Sequence, residues 1–176
     1  KDFTLFNLKK EFDMFYCGVI HEGRLELLKN IIRFSEINEL IIKSALLIGF
    51  WGYYRRFIFD TKFRSKYCKY CINKPLQLNE FAKYLYASRT TIDMPIKSQA
   101  GLAMRCIEAL PCQTKIITTN EHIKEYDFYC PENVMIIDRE NPVFDVDFIK
   151  SPYKPIPKEI VEKYSLDNWI KTIFKD

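Results

Sequence analysis

A chain of 176 residues, 48% of them hydrophobic, is long enough for one packed domain, too short for two comfortable ones, and too apolar to stay disordered. Its net charge of +4, from 27 basic and 23 acidic residues, suits a domain that handles phosphates or rests near an anionic surface, and falls short of the clustered basic footprint expected of a nucleic-acid binder. Six cysteines in a chain of this length do not make a disulfide-stapled secreted scaffold. Cys17, Cys106 and Cys112 sit in apolar stretches and read as small core residues, which fits a reducing, cytoplasmic compartment. The aromatic share of 15% is high enough that some rings must serve surfaces or partner domains as well as the core. Lys1 is not a start methionine and no signal peptide follows it, so residues 1–176 are expected to be a single-domain C-terminal fragment of a longer protein.

Phe12 to Ile20 is apolar and β-prone and runs into a glycine loop at Gly18 and Gly23. Arg24 to Phe34 follows with apolar residues at helical spacing, namely Leu25, Leu27, Leu28, Ile31 and Ile32. Asn38 to Phe50 contains a second strand, and an apolar run of about twelve residues is too short to span a membrane. Trp51 to Tyr70 is rich in aromatics, Arg and Lys. It reads as an amphipathic helix or a loop, either a surface segment with snorkelling side chains or a contact with a membrane surface. Within it, Cys68-x-x-Cys71 has no second pair and no nearby His; zinc wants four ligands, so the two thiols read as unrelated and no metal is expected.

Pro75 to Ala87 is a helix by the spacing of Leu78, Phe81 and Leu85, and Ser88 to Met94 is a short strand closed by Pro95. A polar loop, Lys97-Ser98-Gln99, leads through Gly101 into a helix over Leu102 to Leu110. Lys115 to Thr119 is a strand, Glu121 to Tyr126 a short helix or turn, and Val134 to Asp138 another strand. Asp145 to Ile149 precedes the proline-rich Ser151 to Pro157, and Asp167 to Phe174 is an amphipathic closing helix. Strands alternating with helices predict an α/β, Rossmann-like three-layer sandwich with a mainly parallel sheet, in which the strand from Lys115 lies beside the one ending near Asp93.

Parallel sheets bind ligands at the carboxyl ends of their strands, where helix N-termini point. Two segments fit that description: Tyr16-Cys17-Gly18 to Arg24, and Ser98-Gln99-Ala100-Gly101 before the next helix. Gly101 either presents its backbone N–H to a phosphate or forms a plain turn. Glu108 sits on an otherwise apolar stripe with Arg105 three residues before it. The pair reads either as an exposed ion pair worth about 0.2–0.5 kcal/mol or as a carboxylate free to accept two hydrogen bonds from vicinal ribose hydroxyls.

The run Asp93 to Asn120 (DMPIKSQAGLAMRCIEALPCQTKIITTN) resembles the C-terminal, donor-binding half of GT-B glycosyltransferases. Its wording is similar to the bacterial lipopolysaccharide and capsule biosynthesis group related to CgeB-like proteins: a strand ending in Asp, a Gln-x-Gly-Leu loop, a helix with Arg-x-x-Glu-Ala-Leu, then Ile-Ile-Thr. Tyr126 to Tyr129, Asn133 to Asp138, Tyr164-Ser165 with Trp169, and Phe15 to Gly18 with Arg24 extend the likeness over nearly the whole chain. One departure is Pro111-Cys112, where family loops often carry Gly after Glu-Ala-Leu.

The resemblance implies one half of a GT-B fold that binds a nucleotide-sugar donor. Glu108 would hold the ribose, Gly101 and Leu102 would offer N–H groups to the diphosphate, and Gly18 and Arg24 would line the opposite lip, with Gln99 and Arg105 as further donor contacts. It also implies surface polysaccharide synthesis in the cytoplasm or at the inner face of the membrane, a glycan or lipid-linked acceptor, and a separate N-terminal domain that supplies the base. No Asp-x-Asp motif is present, and enzymes of this type typically need no metal or other cofactor. Of the two histidines, His21 follows the glycine loop within reach of the cleft, whereas His122 reads as a surface turn residue. The alternative is a non-catalytic Rossmann-like module that binds a nucleotide or a partner protein; a third reading is a membrane-surface domain built on Trp51 to Tyr70.

Overall fold

The structure, a computed structural model, describes residues 9–21, 23–96, 99 and 101–173. Lys97, Ser98 and Ala100 of the polar loop, Phe174 of the closing helix and the side chain of Trp169 lie outside the described residues. Six strands, β1 (Phe12–Val19), β2 (Ile42–Leu47), β3 (Cys71–Ile72), β4 (Ser88–Asp93), β5 (Lys115–Thr118) and β6 (Val134–Ile136), form one sheet in the order β3-β2-β1-β4-β5-β6. Every pairing is parallel, and β4 and β5 are neighbours from Thr90↔Lys115 to Asp93↔Thr118, as the alternation of elements requires. This is the doubly wound Rossmann order, in which the chain direction reverses between β1 and β4.

Period-two alternation along the strands feeds two separate cores. Met14, Tyr16, Ile92 and Ile117 point to one face, where α1 (Arg24–Ile37) packs Leu27, Leu28, Ile31 and Ile32, and α5 (Val146–Lys150) adds Ile149. Phe15 and Ile116 point to the other, against Leu85 of α3 (Leu78–Tyr86), Cys106 and Ala109 of α4 (Met104–Ala109), and partly buried Ile160 and Val161 of α6 (Lys158–Lys163). Gly23, at φ 81, turns the chain from the β1 loop into α1, a conformation that other L-residues adopt reluctantly. Helix α4 starts at Met104, two residues later than the spacing predicts, because Ala103 is extended (ψ 144) and the partly buried Leu102 packs onto the core before the helix opens. The Glu121–Glu125 segment is a 3₁₀ turn, and α7 (Leu166–Ile173) closes the described chain. Among the described residues no helix is long and apolar enough to cross a membrane.

The amino-terminal edge of the sheet is closed by lysines. Lys10 Nζ donates to the carbonyls of Tyr86 (2.8 Å) and Cys112 (2.9 Å) and to Thr114 Oγ1 (3.0 Å), tying the entry to β1 to the turns before β4 and β5. The buried Lys115 Nζ donates to the Phe148 carbonyl and to the carbonyl (2.7 Å) and hydroxyl (2.8 Å) of Ser151, capping the C-terminal end of α5.

Burial moves several groups far enough to set the alkaline behaviour. It pushes Cys71 and Cys112 up to about 12 from 9.0 and raises Cys106 as well, while Tyr153 rises to about 12 from 10.0. Groups whose pKa is raised by folding stabilise fully below their ordinary value and lose that contribution as pH climbs toward the folded one. Lys10 and Lys115, pressed by burial to about 8 from 10.5, act in the opposite sense, and their contribution is complete above 10.5. Above pH 10.5 the thiol and phenol losses continue, and these two lysines no longer offset them. The denaturant midpoint measured in reductant is therefore expected to fall with pH in that range; a rising midpoint would contradict the burial assigned to these groups.

Candidate ligand cleft

Between β1 and β4 the ladder ends early. Their register runs from Phe12↔Ser88 to Tyr16↔Ile92, whereas β1 stays paired with β2 as far as Val19↔Leu47. Two guanidinium groups occupy the fork where β1 and β4 part. Arg24, the first residue of α1, donates through Nε (3.0 Å) and Nη2 (2.6 Å) to the Met94 carbonyl and through Nη1 (3.0 Å) to the Val19 carbonyl. Arg105, in the first turn of α4, donates through Nη1 to the carbonyls of Cys17 and Ile92 (3.2 Å). Its Nε lies 3.5 Å from Asp93 Oδ1, and Thr118 donates its hydroxyl to Asp93 Oδ2 at 3.3 Å, so this 1%-exposed carboxylate is paired and hydrogen-bonded.

Gly18 is part of the same arrangement: a Cβ there would stand 3.3 Å from Arg24 Nη1. A third guanidinium, Arg139, follows β6 and donates to the Pro95 carbonyl. Burial holds Arg24 below its ordinary value, and the charges of Arg105 and Arg139 press in the same direction against the pull of Tyr16 and Asp93. Among the described residues, the carboxyl edge of the sheet thus brings Arg24, Arg105 and Arg139 near Asp93 at the point where the strand order reverses.

The structure therefore brings Gly18, Arg24 and Arg105 together at the mouth of β1 and β4, with Gly101 across from them at the end of β5. Gly101 is exposed, and a Cβ added to it would meet nothing within 4 Å, so internal packing does not require glycine there. Its carbonyl is held by Gln99 Nε2 (3.1 Å) and Asn120 Nδ2 (3.3 Å), which puts Gln99 within its own loop. Leu102 packs onto the core and leaves only its backbone to the cleft.

Glu108, one helical turn beyond Arg105, is half-buried. The ion pair that the spacing offers is not formed: Arg105 is engaged by Asp93 and the strand carbonyls instead. Burial raises the Glu108 carboxyl, with the Arg105 charge pulling the other way. Its oxygens accept no hydrogen bond from the described residues and are available to an outside donor.

The carbonyl of His21 accepts the Arg24 N–H (2.9 Å), and His122 stands on the surface against Glu125 (2.7 Å). Sequence reasoning missed Arg139, Asn120 and Thr119, whose buried hydroxyl has no partner among the described residues. All three follow carboxyl ends of strands, and that position was the available signal.

Strand order, the paired cores and a cleft at the reversal point define a Rossmann-like parallel α/β sandwich. No protein-family model matches the chain, and no curated protein matches it. Solved structures do. UDP-GlcNAc 2-epimerase from Methanocaldococcus jannaschii, in complex with UDP-GlcNAc and UDP, superposes on 93% of this chain and 46% of its own with a TM-score of 0.53 at 15% identity. Another structure of that epimerase covers 86% of this chain and 38% of its own (TM-score 0.45, 15% identity). The GtfA/B complex covers 96% and 30% (TM-score 0.46, 10% identity). The chain spans less than half the length of each, and what it shares with the first is the fold.

Removing one partner of a buried ion pair typically costs about 3–5 kcal/mol. Arg105→Leu is expected to lower unfolding stability by about 3 kcal/mol in urea titrations, and adding Asp93→Asn should restore most of the loss. A loss below about 1 kcal/mol would show that the fork does not depend on this pair.

Proposed function

We propose that this chain is the nucleotide-sugar-binding domain of a GT-B-type enzyme, and that the whole enzyme is a glycosyltransferase. The observation that carries the reading is the set of three arginines, Arg24, Arg105 and Arg139, gathered at the strand-order reversal. A diphosphate is a ligand that clustered guanidinium donors suit, because charge-assisted hydrogen bonds from arginine to phosphate are strong and can be bidentate. Arg105 Nη2 donates to no acceptor among the described residues, while its Nη1 and Nε are fixed by the strands and Asp93. The exposed backbone at Gly101 and the uncommitted carboxylate of Glu108 supply the two further contacts that a nucleoside diphosphate needs, one for phosphate and one for ribose. A fold neighbour holds UDP-GlcNAc and UDP, which supports the ligand class.

In this reading the sugar's anomeric carbon is attacked by an acceptor hydroxyl, and the departing diphosphate gains negative charge beside the arginines. A second domain would complete the cleft and bring the acceptor, a glycan or lipid-linked chain, and the base. The likeness of Asp93 to Asn120 to the lipopolysaccharide and capsule group supports surface polysaccharide synthesis as the pathway class.

Titration calorimetry with UDP-GlcNAc, UDP-glucose and the corresponding GDP sugars tests the reading. These diphosphate diesters do not titrate near neutrality, so a pH dependence reports on the protein. Two charge-assisted hydrogen bonds at roughly 1.5–3 kcal/mol each imply that Glu108→Ala weakens binding at least about tenfold without unfolding the chain. Because burial raises the Glu108 carboxyl above 4.5, wild-type affinity should fall as pH drops through a value higher than that of an ordinary glutamate, and Glu108→Gln should lose that dependence. Unchanged affinity in Glu108→Ala would refute the ribose contact; no binding of any sugar nucleotide by the wild type would refute the proposal itself.

A further inference from the structure

Helix α2 (Phe50–Phe59) is built inside out. A helix at the surface of a globular domain normally buries its apolar stripe. Here no residue of α2 is buried, and the side facing the domain is Gly52, Tyr53 and Arg56, with Tyr53 edge-on to the buried Phe63 at 5.6 Å. The opposite side carries Trp51, Tyr54 and Ile58 at i, i+3 and i+7, with Trp51 84% and Ile58 60% exposed, and Phe50 and Phe59 beside them.

The surrounding charge is mostly positive. Between residues 50 and 70 the sequence sets Arg55, Arg56, Lys62, Arg64, Lys66 and Lys69 against Asp60, and of these Lys66 is paired with Glu36 of α1 at 2.7 Å. Asp60 is itself occupied, accepting the Phe63 N–H at 2.9 Å. The basic turn lies along the helix, with Arg64 Nη1 donating to the Phe57 carbonyl at 3.4 Å. Arg55, Arg56, Phe59 and Asp60 line an open hollow of about 330 Å³ at the end of the helix.

We infer that α2 is a membrane-interface helix that lays Trp51, Tyr54 and Ile58 among the headgroups of an anionic bilayer while the flanking arginines and lysines bind lipid phosphates. Trp and Tyr favour that depth because one end of each ring is apolar and the other wet. Each basic residue at an anionic surface adds to the attraction, and such attraction is screened by salt. A protein partner would have to supply acidic groups matched to this basic rim, whereas an anionic bilayer presents phosphates on every side of the inserted rings. Because α2 starts just after the carboxyl end of β2, the helix would hold the same edge of the sheet that carries the arginine cleft near the membrane surface. The inference stands on its own observations and does not depend on which ligand fills the cleft.

Co-sedimentation of the 176-residue chain with vesicles decides it. With vesicles of phosphatidylcholine containing about 30% phosphatidylglycerol, the protein is expected to pellet at low salt, to release as salt is raised, and not to pellet with phosphatidylcholine alone. Trp51→Ser combined with Ile58→Ser should weaken partition at least about tenfold with an unchanged melting curve, because both side chains are exposed. Arg55→Gln with Arg64→Gln should weaken it and flatten the salt dependence. Failure to pellet with the anionic vesicles, or equal binding by the Trp51/Ile58 variant, would overturn the inference. So would a lipid-free dimer that dissociates in that variant, since a second copy would then be the partner of this face.

Discussion

The whole arrangement rests on the parting of β1 and β4. Parallel strands are held together by evenly spaced ladder bonds, and where the chain reverses direction across the sheet those bonds stop, leaving carbonyl groups without N–H partners. In this protein the carbonyls of Cys17, Val19, Ile92 and Met94 accept hydrogen bonds from Arg24 and Arg105. A guanidinium suits the task because its donors radiate in a plane and its charge cannot be titrated away. The rest follows: Gly18 has no side chain because Arg24 passes beside it, and Asp93 is tolerated at almost complete burial because Arg105 and Thr118 satisfy it.

The same interaction gives the cleft its chemistry. Backbone carbonyls hold Arg24 and Arg105 in place, with the Arg105 charge shared with Asp93, so the guanidinium donors are rigid before an anion arrives. The opposite edge shows the contrast. Lys10 and Lys115 are wrapped by acceptors, buried and pressed to low pKa values, and they close the bottom of the sheet. One edge of the domain is thus sealed by cations and the other opened by them.

Much of this was legible in the chain. The apolar runs at Phe12, Ser88 and Lys115 named β1, β4 and β5, and helical spacing named α1 and α3, because core burial imposes those periods directly. Arg24, Arg105 and Gly18 were legible as candidates, but not as partners of backbone carbonyls, since that depends on where two distant strands separate. β3 escaped because it is only Cys71–Ile72, an edge pairing fixed by its register with Leu46 and Leu47 and not by its own pattern. Composition left Trp51 to Tyr70 as an amphipathic helix or a loop; the structure makes only Phe50–Phe59 an α-helix, and Tyr53 against Phe63 decides which face turns outward. Arg139 directly follows the strand expected over Val134 to Asp138, but its contact with the Pro95 carbonyl depends on how the distant turn after β4 folds and could not be read from spacing.

The central claim is that the arginine-lined fork binds a nucleoside diphosphate. Amide chemical-shift mapping of the isotopically labelled chain with UDP tests it most directly, because it locates the ligand without altering the protein. The account requires the largest shifts at the amides of Gly18, Gly23 and Arg24, at Gly101 to Arg105, and at Thr119 and Asn120, where the strands β1, β4 and β5 end. Saturable shifts centred elsewhere, on α2 or at the lysine-closed edge, or no shifts at all, would contradict it.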